Sequence, residues 1–303
     1  MTAIAPAWGR PLSRTGWLPY LLVAPVVLML GGLLVWPWVV GLWTSMTSLR
    51  IGHWGQEQFI GLSNYIDVLG SHAFWQSLRV TGLFAVLCVA SEMSLGLGLA
   101  LLLNRKLPGR NIFRTLFIIP FMVPTVVCGL IWRQLLEVRG VANYLLSFIG
   151  LGPASWLSSS DSALASLLLI DIWQTTPQVV ILVFAALQIV PKDVLEAARI
   201  DGATAWQTFW RVTFPIIRPY LVVAMLIRTI ELLQVLDIVM VATQGGPANA
   251  TMVLHLHAYR ETFISGFLGY GTAVAYVLGF IVVLVSIAIV RWIGGTQSDE
   301  ARA

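Results

Sequence analysis

Charged residues stand inside otherwise apolar stretches of this chain: Glu92, Asp171, Arg228, Glu231 and Asp237. A charge in apolar surroundings must face a partner or a watery cavity, so such positions mark ion relays, substrate paths or structural ion pairs. Arg228, Glu231 and Gln234 recur at i, i+3 and i+6 and share one broad helix face, with Asp237 further along. Arg228 with Glu231 reads either as a structural ion pair or as part of a path, and Glu92 first as a structural hydrogen-bonding group. Gln234 and Asp237 are the better candidates for substrate contact. The run Asp171-Ile172-Trp173-Gln174-Thr175-Thr176-Pro177-Gln178 adds an aromatic ring beside amides and hydroxyls. Saccharides present both C–H faces and hydroxyls, and that combination of side chains recognises both. Trp173, Gln174, Thr176, Glu231, Gln234 and Asp237 therefore form a candidate substrate path. A helix–helix contact with threonine as polar glue is the alternative for the first three. Pro177 lacks an N–H and clashes with the carbonyl of Trp173, which predicts a kink there. Carboxylates with Trp, Gln and Thr suit a neutral polyhydroxy ligand better than an anion, an inference that Arg228 weakens.

Other chemistries are missing. A phosphate-cradling G-x-x-x-x-G-K-[ST] loop requires a lysine before Ser or Thr, but Lys106 precedes Leu107 and Lys192 precedes Asp193. Neither G-x-S-x-G nor H-E-x-x-H occurs. Cys88 and Cys128 fall in apolar runs, where thiols behave as small hydrophobes. His255-x-His257 is a weak metal hint, and no metal site is expected. The chain is read as not an enzyme, binding no cofactor of its own and no nucleic acid.

The elements that must position these residues are membrane helices. The 303 residues are 58% hydrophobic and 11% charged, with mean hydropathy +0.84, against about 25% charged in a soluble domain. Six stretches are long enough to span a bilayer: Leu18–Trp43, Val80–Leu103, Ile112–Leu135, Ala163–Val190, Tyr220–Ala242 and Phe267–Trp292. The first is too long for a signal peptide and is read as retained. Basic residues concentrate on one side: Arg10, Arg14, Arg105, Lys106, Arg110, Arg114, Lys192, Arg199, Arg211, Arg218, Arg291 and Arg302. Arg50, Arg79, Arg133, Arg139 and Arg260 fall on the other. Cytoplasmic loops carry the excess, so both termini are expected inside. The fold class is thus an all-α polytopic membrane protein of six transmembrane helices, contacting membrane lipids. Its divisions are a tail over 1–16, one membrane domain over 17–293 and a frayed tail over 294–303. Pro120 and Pro124 predict a bend in the third stretch, and Gly266, Gly269 and Gly271 close packing at the start of the last.

Residues 191–219, PKDVLEAARIDGATAWQTFWRVTFPIIRP, form a polar island between two apolar runs. Asp193 with Glu196, and Thr204 with Gln207, have capping-box spacing. Gly202 suits a helix stop, and Pro215 should end the second helix. The expectation is two short helices joined at Gly202.

Glu196-Ala197-Ala198, Asp201-Gly202-Ala203, Phe209, Phe214-Pro215 and Pro219 resemble the EAA loop of permease subunits of bacterial ABC importers. The Asp-Gly-Ala triplet points to the carbohydrate importers of the maltose type. Three further stretches resemble that family: Phe59–Tyr65 with Phe74-Trp75, then Arg114, Pro120, Pro124 and Trp132, then Thr243-Gln244-Gly245-Gly246-Pro247-Ala248-Asn249-Ala250-Thr251. The resemblance implies a half-transporter that pairs with a second, homologous permease, two cytoplasmic ATPase subunits holding ATP and Mg, and an extracytoplasmic solute-binding protein. It implies that Glu196, Ala197, Ala198, Asp201, Gly202, Ala203, Phe209, Phe214 and Pro215 couple the chain to the ATPase, with Glu196 anchoring the helix and the alanines letting it sit close. ATP-driven import of a sugar, oligosaccharide or polyol across the bacterial inner membrane by alternating access is the implied function. A glycerol-phosphate or other small-solute permease and an ion-driven secondary carrier remain as alternatives.

Overall fold

A computed structural model describes residues 17–105 and 108–300, without the side chains of 18–19, 110–111 and 292–300. The expectations for the tail 1–16, Lys106, Arg302 and the Arg110 side chain lie outside the described residues. Among those residues the regular structure is helical, apart from one isolated antiparallel bridge between Thr47 and Phe59.

The chain opens with α1 (Leu18–Leu30), a π turn (Gly31–Val35) and α2 (Trp36–Ser45). Over Tyr20–Ser45 this run is apolar on all sides and its apolar core window is unburied, the pattern of a helix that faces lipid. It is anchored late, where Trp38 meets Tyr276 edge-on and the tyrosine hydroxyl donates to the Trp38 carbonyl. α3 (Ser63–Gly70) leads to α4 (His72–Asn104), which begins two turns before the expected Val80. Ser71 caps it by accepting from the Phe74 N–H, and Phe74 itself is buried.

α5 (Arg110–Met122) and α6 (Thr125–Leu135) meet at 95°. The expected bend is thus close to a right angle. Val123, preceding Pro124, is extended (ψ 126°), since proline disfavours helical geometry in the residue before it. α7 (Val141–Ser147) follows, then α8 (Ala163–Leu187), α9 (Lys192–Ile200) and α10 (Ala205–Thr208). A second π turn (Phe209–Thr213) runs straight into α11 (Phe214–Leu233), so Pro215 does not end a helix as expected. The Phe214 N–H reaches back five residues to the Phe209 carbonyl, and at such a register change a residue without an N–H is tolerated. α12 (Asp237–Ala242), α13 (Leu254–Tyr259), a π turn (Arg260–Ile264) and α14 (Leu268–Glu300) complete the order. α14 remains helical beyond Ile293, where a frayed tail was expected; extending an existing helix carries no nucleation cost.

Among the described residues, four helices can cross a membrane by length and composition: Tyr20–Ser45, His72–Asn104, Ala163–Leu187 and Leu268–Arg291, or five if the bent pair counts as one. α11 is kept out of that count by Arg218, Arg228 and Glu231, and the stretch Tyr220–Ala242 is broken between Leu233 and Asp237. The core is built where α4 packs along α8. A Cβ on Gly96 would lie 2.5 Å from a Val179 methyl, so the two backbones touch because Gly96 has no side chain. Phe84, Cys88, Leu167, Ile170 and Leu232 fill one buried cluster; Ala100, Val183 and Ile217 lie in a second. Both cysteines are free and buried.

α14 starts on an equally close contact. A Cβ on Gly269 would lie 2.1 Å from the Thr47 carbonyl oxygen, which also accepts from Asn64 Nδ2 at 2.9 Å. Gly269→Ala is expected to cost about 2 kcal/mol, because backbone must move to admit the methyl. Gly98→Ala, in open space on α4, should be neutral or stabilise by about 0.5–1 kcal/mol. Melting temperatures of the two purified variants in detergent check the contrast; equal values would mean the α14 contact is not tight.

Candidate functional site

Three helices converge on one ion cluster. α11 supplies Arg228 and, one turn on, Glu231; α4 supplies Glu92; α8 supplies Asp171 and Thr175. The Arg228 guanidinium donates through Nε to Glu92 Oε2 at 2.7 Å and through Nη2 to Glu92 Oε1 at 3.0 Å, a forked pairing. Nη2 also reaches Asp171 Oδ2 at 3.1 Å, and Nη1 reaches Glu231 Oε2 at 2.5 Å. The Thr175 hydroxyl lies 2.8 Å from Glu92 Oε1 and 2.6 Å from the Asp171 carbonyl. Glu92, Asp171 and Arg228 are buried, whereas the Glu231 side chain is 44% exposed. Arg228 pairs with Glu231 as its spacing suggested, but its stronger partner is Glu92, 136 residues away. Cys88 Sγ and oxygens of Glu92 and Asp171 lie within 4.8 Å of one another. Both carboxylates already accept from Arg228, whose charge opposes a metal cation there.

Glu231 opens this cluster into a cleft of about 580 Å³. The cleft forms where two helical runs break. At Val123–Pro124, between α5 and α6, the freed Val123 carbonyl accepts from Gln174 Nε2 at 2.8 Å. Between α11 and α12 the Gln234 carbonyl accepts from His255 Nδ1 at 2.7 Å. A buried or half-buried helix end needs such partners. His255 is therefore a cap. His257 is buried apart from it, its Nε2 unpartnered, and burial pushes its imidazole below the ordinary range.

Of the expected path residues, Gln174, Glu231, Gln234 and Asp237 border this cleft. Trp173 and Thr176 lie on the opposite face of α8, beside Leu95, Phe117 and Pro120 in a separate apolar pocket. Trp173 meets Trp132 edge-on at 5.4 Å, and the Thr176 hydroxyl donates to the Ile172 carbonyl. The six expected path residues thus border two different cavities, four the cleft and two the apolar pocket. At 3.6 residues per turn, 171, 174, 175 and 178 form one stripe and 173, 176, 177 and 180 another. Both stripes are visible in the sequence. α8 is one continuous helix, Ala163–Leu187, with Pro177 inside it. Thr125, Gln178 and His255 border the cleft as well. Gln178 was legible as a stripe member; Thr125 and His255 arrive from other helices and had no local signal.

The 191–219 loop lies at the other end of α11, about 30 Å away by helix length (20 residues). Glu196, Ala197, Asp201, Gly202 and Pro215 are exposed; Ala198, Ala203, Phe209 and Phe214 are half-buried. Gly202 takes φ +76°, the left-handed conformation that ends α9. Thr204 and Gln207 form a complete capping box. Asp193 and Glu196 do not, since α9 starts at Lys192 with Pro191 at the cap and Asp193 falls within its first turn. Ile200 and Trp206 are 86% and 71% exposed, an apolar pair beside the loop's acidic residues.

Residues 93–295 match the family described as "Binding-protein-dependent transport system inner membrane component". The chain is 36% identical over 272 residues to the trehalose/maltose transport system permease protein MalF of Thermococcus litoralis, covering 89% of this chain and 91% of that one. It is 34% identical over 275 residues to the sulfoquinovosyl glycerol transport system permease protein SmoG of Agrobacterium fabrum, covering 90% and 89%. In structure it is similar to a chain of a bacterial alginate ABC transporter, solved in complex with an alginate pentasaccharide-bound periplasmic protein. The TM-score is 0.79 at 22% identity, covering 90% of this chain and 92% of that one.

Proposed function

The chain belongs to the binding-protein-dependent transport system inner membrane components, multi-pass permeases and not enzymes, and on that premise we propose that it is the translocating subunit of an ATP-driven carbohydrate importer. The observation that carries the reading is α11, which starts at the exposed 191–219 loop and ends at the cleft. A movement imposed on the loop reaches the cleft through one helix. The broken run α11–α12 acts as a sixth span, with both termini and the loop in the cytoplasm. The chain pairs with a second, homologous permease, so that two clefts form one path. One of the two ATPase subunits docks on Glu196, Ala197 and Ala198 and on Asp201-Gly202-Ala203, the other on the second permease, and a solute-binding protein delivers substrate from outside. ATP and Mg bind the ATPase and not this chain. Closure of the ATPases on ATP turns the shared path outward; hydrolysis resets it.

A sugar, oligosaccharide or polyol suits the cleft, whose amides on Gln174, Gln178 and Gln234 can pair with hydroxyls. An ion-driven carrier is less well supported, since Arg228 already ties the carboxylates that would relay a proton. Gentle purification of the tagged chain from its native membrane, followed by mass spectrometry, tests the assembly. The expected result is an ATPase and a second, similar permease in every repeat. Recovery of the chain alone, under conditions that keep complexes intact, would put the carrier first.

A further inference from the structure

We infer that the cleft selects its saccharide by charge, through an acceptor subsite of Gln174, Glu231 and Asp237 that takes neutral and ammonium-bearing sugars and turns away uronates, sulfonates and sugar phosphates. The inference rests on the transport reading and goes beyond it by assigning the substrate's charge class. Its first ground is that Arg228, the one Arg or Lys among the described residues that line the cleft, is already engaged. Nε, Nη1 and Nη2 of Arg228 each donate to a carboxylate of this same chain. With its carboxylates ionised, the cluster of Arg228, Glu92, Asp171 and Glu231 is net negative. Asp237, exposed at the cleft and without a hydrogen-bond or ion-pair partner among the described residues, adds another negative charge.

The second ground is an orphaned acceptor. Gln174 is 3% exposed and lines the cleft. Its Nε2 donates to the Val123 carbonyl, which can only accept, so the amide orientation is settled and Oε1 faces no donor. A buried acceptor left without a partner is costly; Oε1 is itself covered, so a ligand hydroxyl or N–H satisfies it only when the cleft wall shifts at Gln174. His255 contributes in the same sense. Its Nδ1–H serves the Gln234 carbonyl, leaving Nε2 the acceptor of the neutral ring. The remaining amide donors of Gln178 and Gln234 are enough for hydroxyl oxygens, but they offer an anion no compensating charge. Like charges at a protein surface repel more strongly than in bulk water.

The test uses the complete transporter in nanodiscs, with glucose, glucosamine and glucuronate as probes followed by saturation-transfer NMR at neutral pH. Glucose and glucosamine are expected to bind, with glucuronate at least tenfold weaker. Glu231→Gln with Asp237→Asn should bring glucuronate to within about threefold of glucose, and Asp237→Asn alone should move it part of the way. Melting temperatures equal to that of the unsubstituted transporter establish that the variants are folded. Glucuronate binding as well as glucose, a contrast untouched in folded variants, or no binding of any probe to a complex that carries its ATPase would each overturn the proposal. Absence of the ATPase would instead sink the transport reading beneath it.

Discussion

Arg228→Met is expected to destabilise the chain by about 3–5 kcal/mol, the cost of stripping the counter-charge from a buried ion group. Glu92 is fully buried and Asp171 is 5% exposed, and both accept from that one guanidinium. Without it two carboxylates face each other inside the bundle and must either take up protons or draw in water. Either change opens the contact among α4, α8 and α11, which the cluster ties at a single point. The melting temperature should fall sharply, and less protein should accumulate in the membrane. Arg228→Lys should fall between, because an ammonium cannot make the forked pairing with Glu92. The decisive comparison is Arg228→Met combined with Glu92→Gln and Asp171→Asn. Removing an entire buried ion group is often near neutral, so the triple variant should regain most of the lost stability. Should Arg228→Met alone melt with the unsubstituted protein, the cluster would not be what holds the three helices together.

That cluster also shows where sequence reasoning reaches its limit. Each charged residue was visible as an anomaly in an apolar stretch, and the pairing of Arg228 with Glu231 followed from a spacing of three. The Glu92 partner could not follow, because 136 residues of chain separate it from Arg228 and no local rule spans them. Helix breaks divide the same way. Pro124 announced the α5–α6 bend by its own covalent geometry. The break after Leu233 occurs at Gln234-Val235-Leu236, where neither proline nor glycine gives a sign. It is stabilised by His255, a cap that arrives from 21 residues downstream. In the 191–219 loop the Thr204–Gln207 box was legible because spacing and start coincide. The same spacing at Asp193–Glu196 misled because Pro191 starts the helix earlier. On α8 the two stripes were present all along: Gln174 belongs to the one that borders the cleft, Trp173 and Thr176 to the one that lines the apolar pocket.

Glu196→Ala is expected to leave the fold untouched and to abolish uptake. The residue is exposed on α9, a nine-residue helix with no buried side chain, so its truncation should change stability by less than about 0.5 kcal/mol. In the docked complex proposed above, the same carboxylate would be buried against the ATPase. Truncating one partner of a hydrogen-bonded charge pair at an interface costs about 2–5 kcal/mol, or roughly 30-fold or more in affinity. Reconstituted transporter should therefore show uptake reduced at least 30-fold, with ATPase activity no longer stimulated by the loaded binding protein. Glu196→Asp should recover part of this, and Ala197→Trp should reproduce the loss by steric exclusion if, as proposed, the alanines let the helix sit close to its partner. Charge alone cannot explain both results: one variant removes an anion and the other adds only bulk. A secondary carrier predicts the opposite pattern, because it has no ATPase for the loop to engage. Uptake unchanged in Glu196→Ala, in folded protein at normal abundance, would therefore count against ATP coupling through this helix and leave the exposed Ile200 and Trp206 needing some other partner.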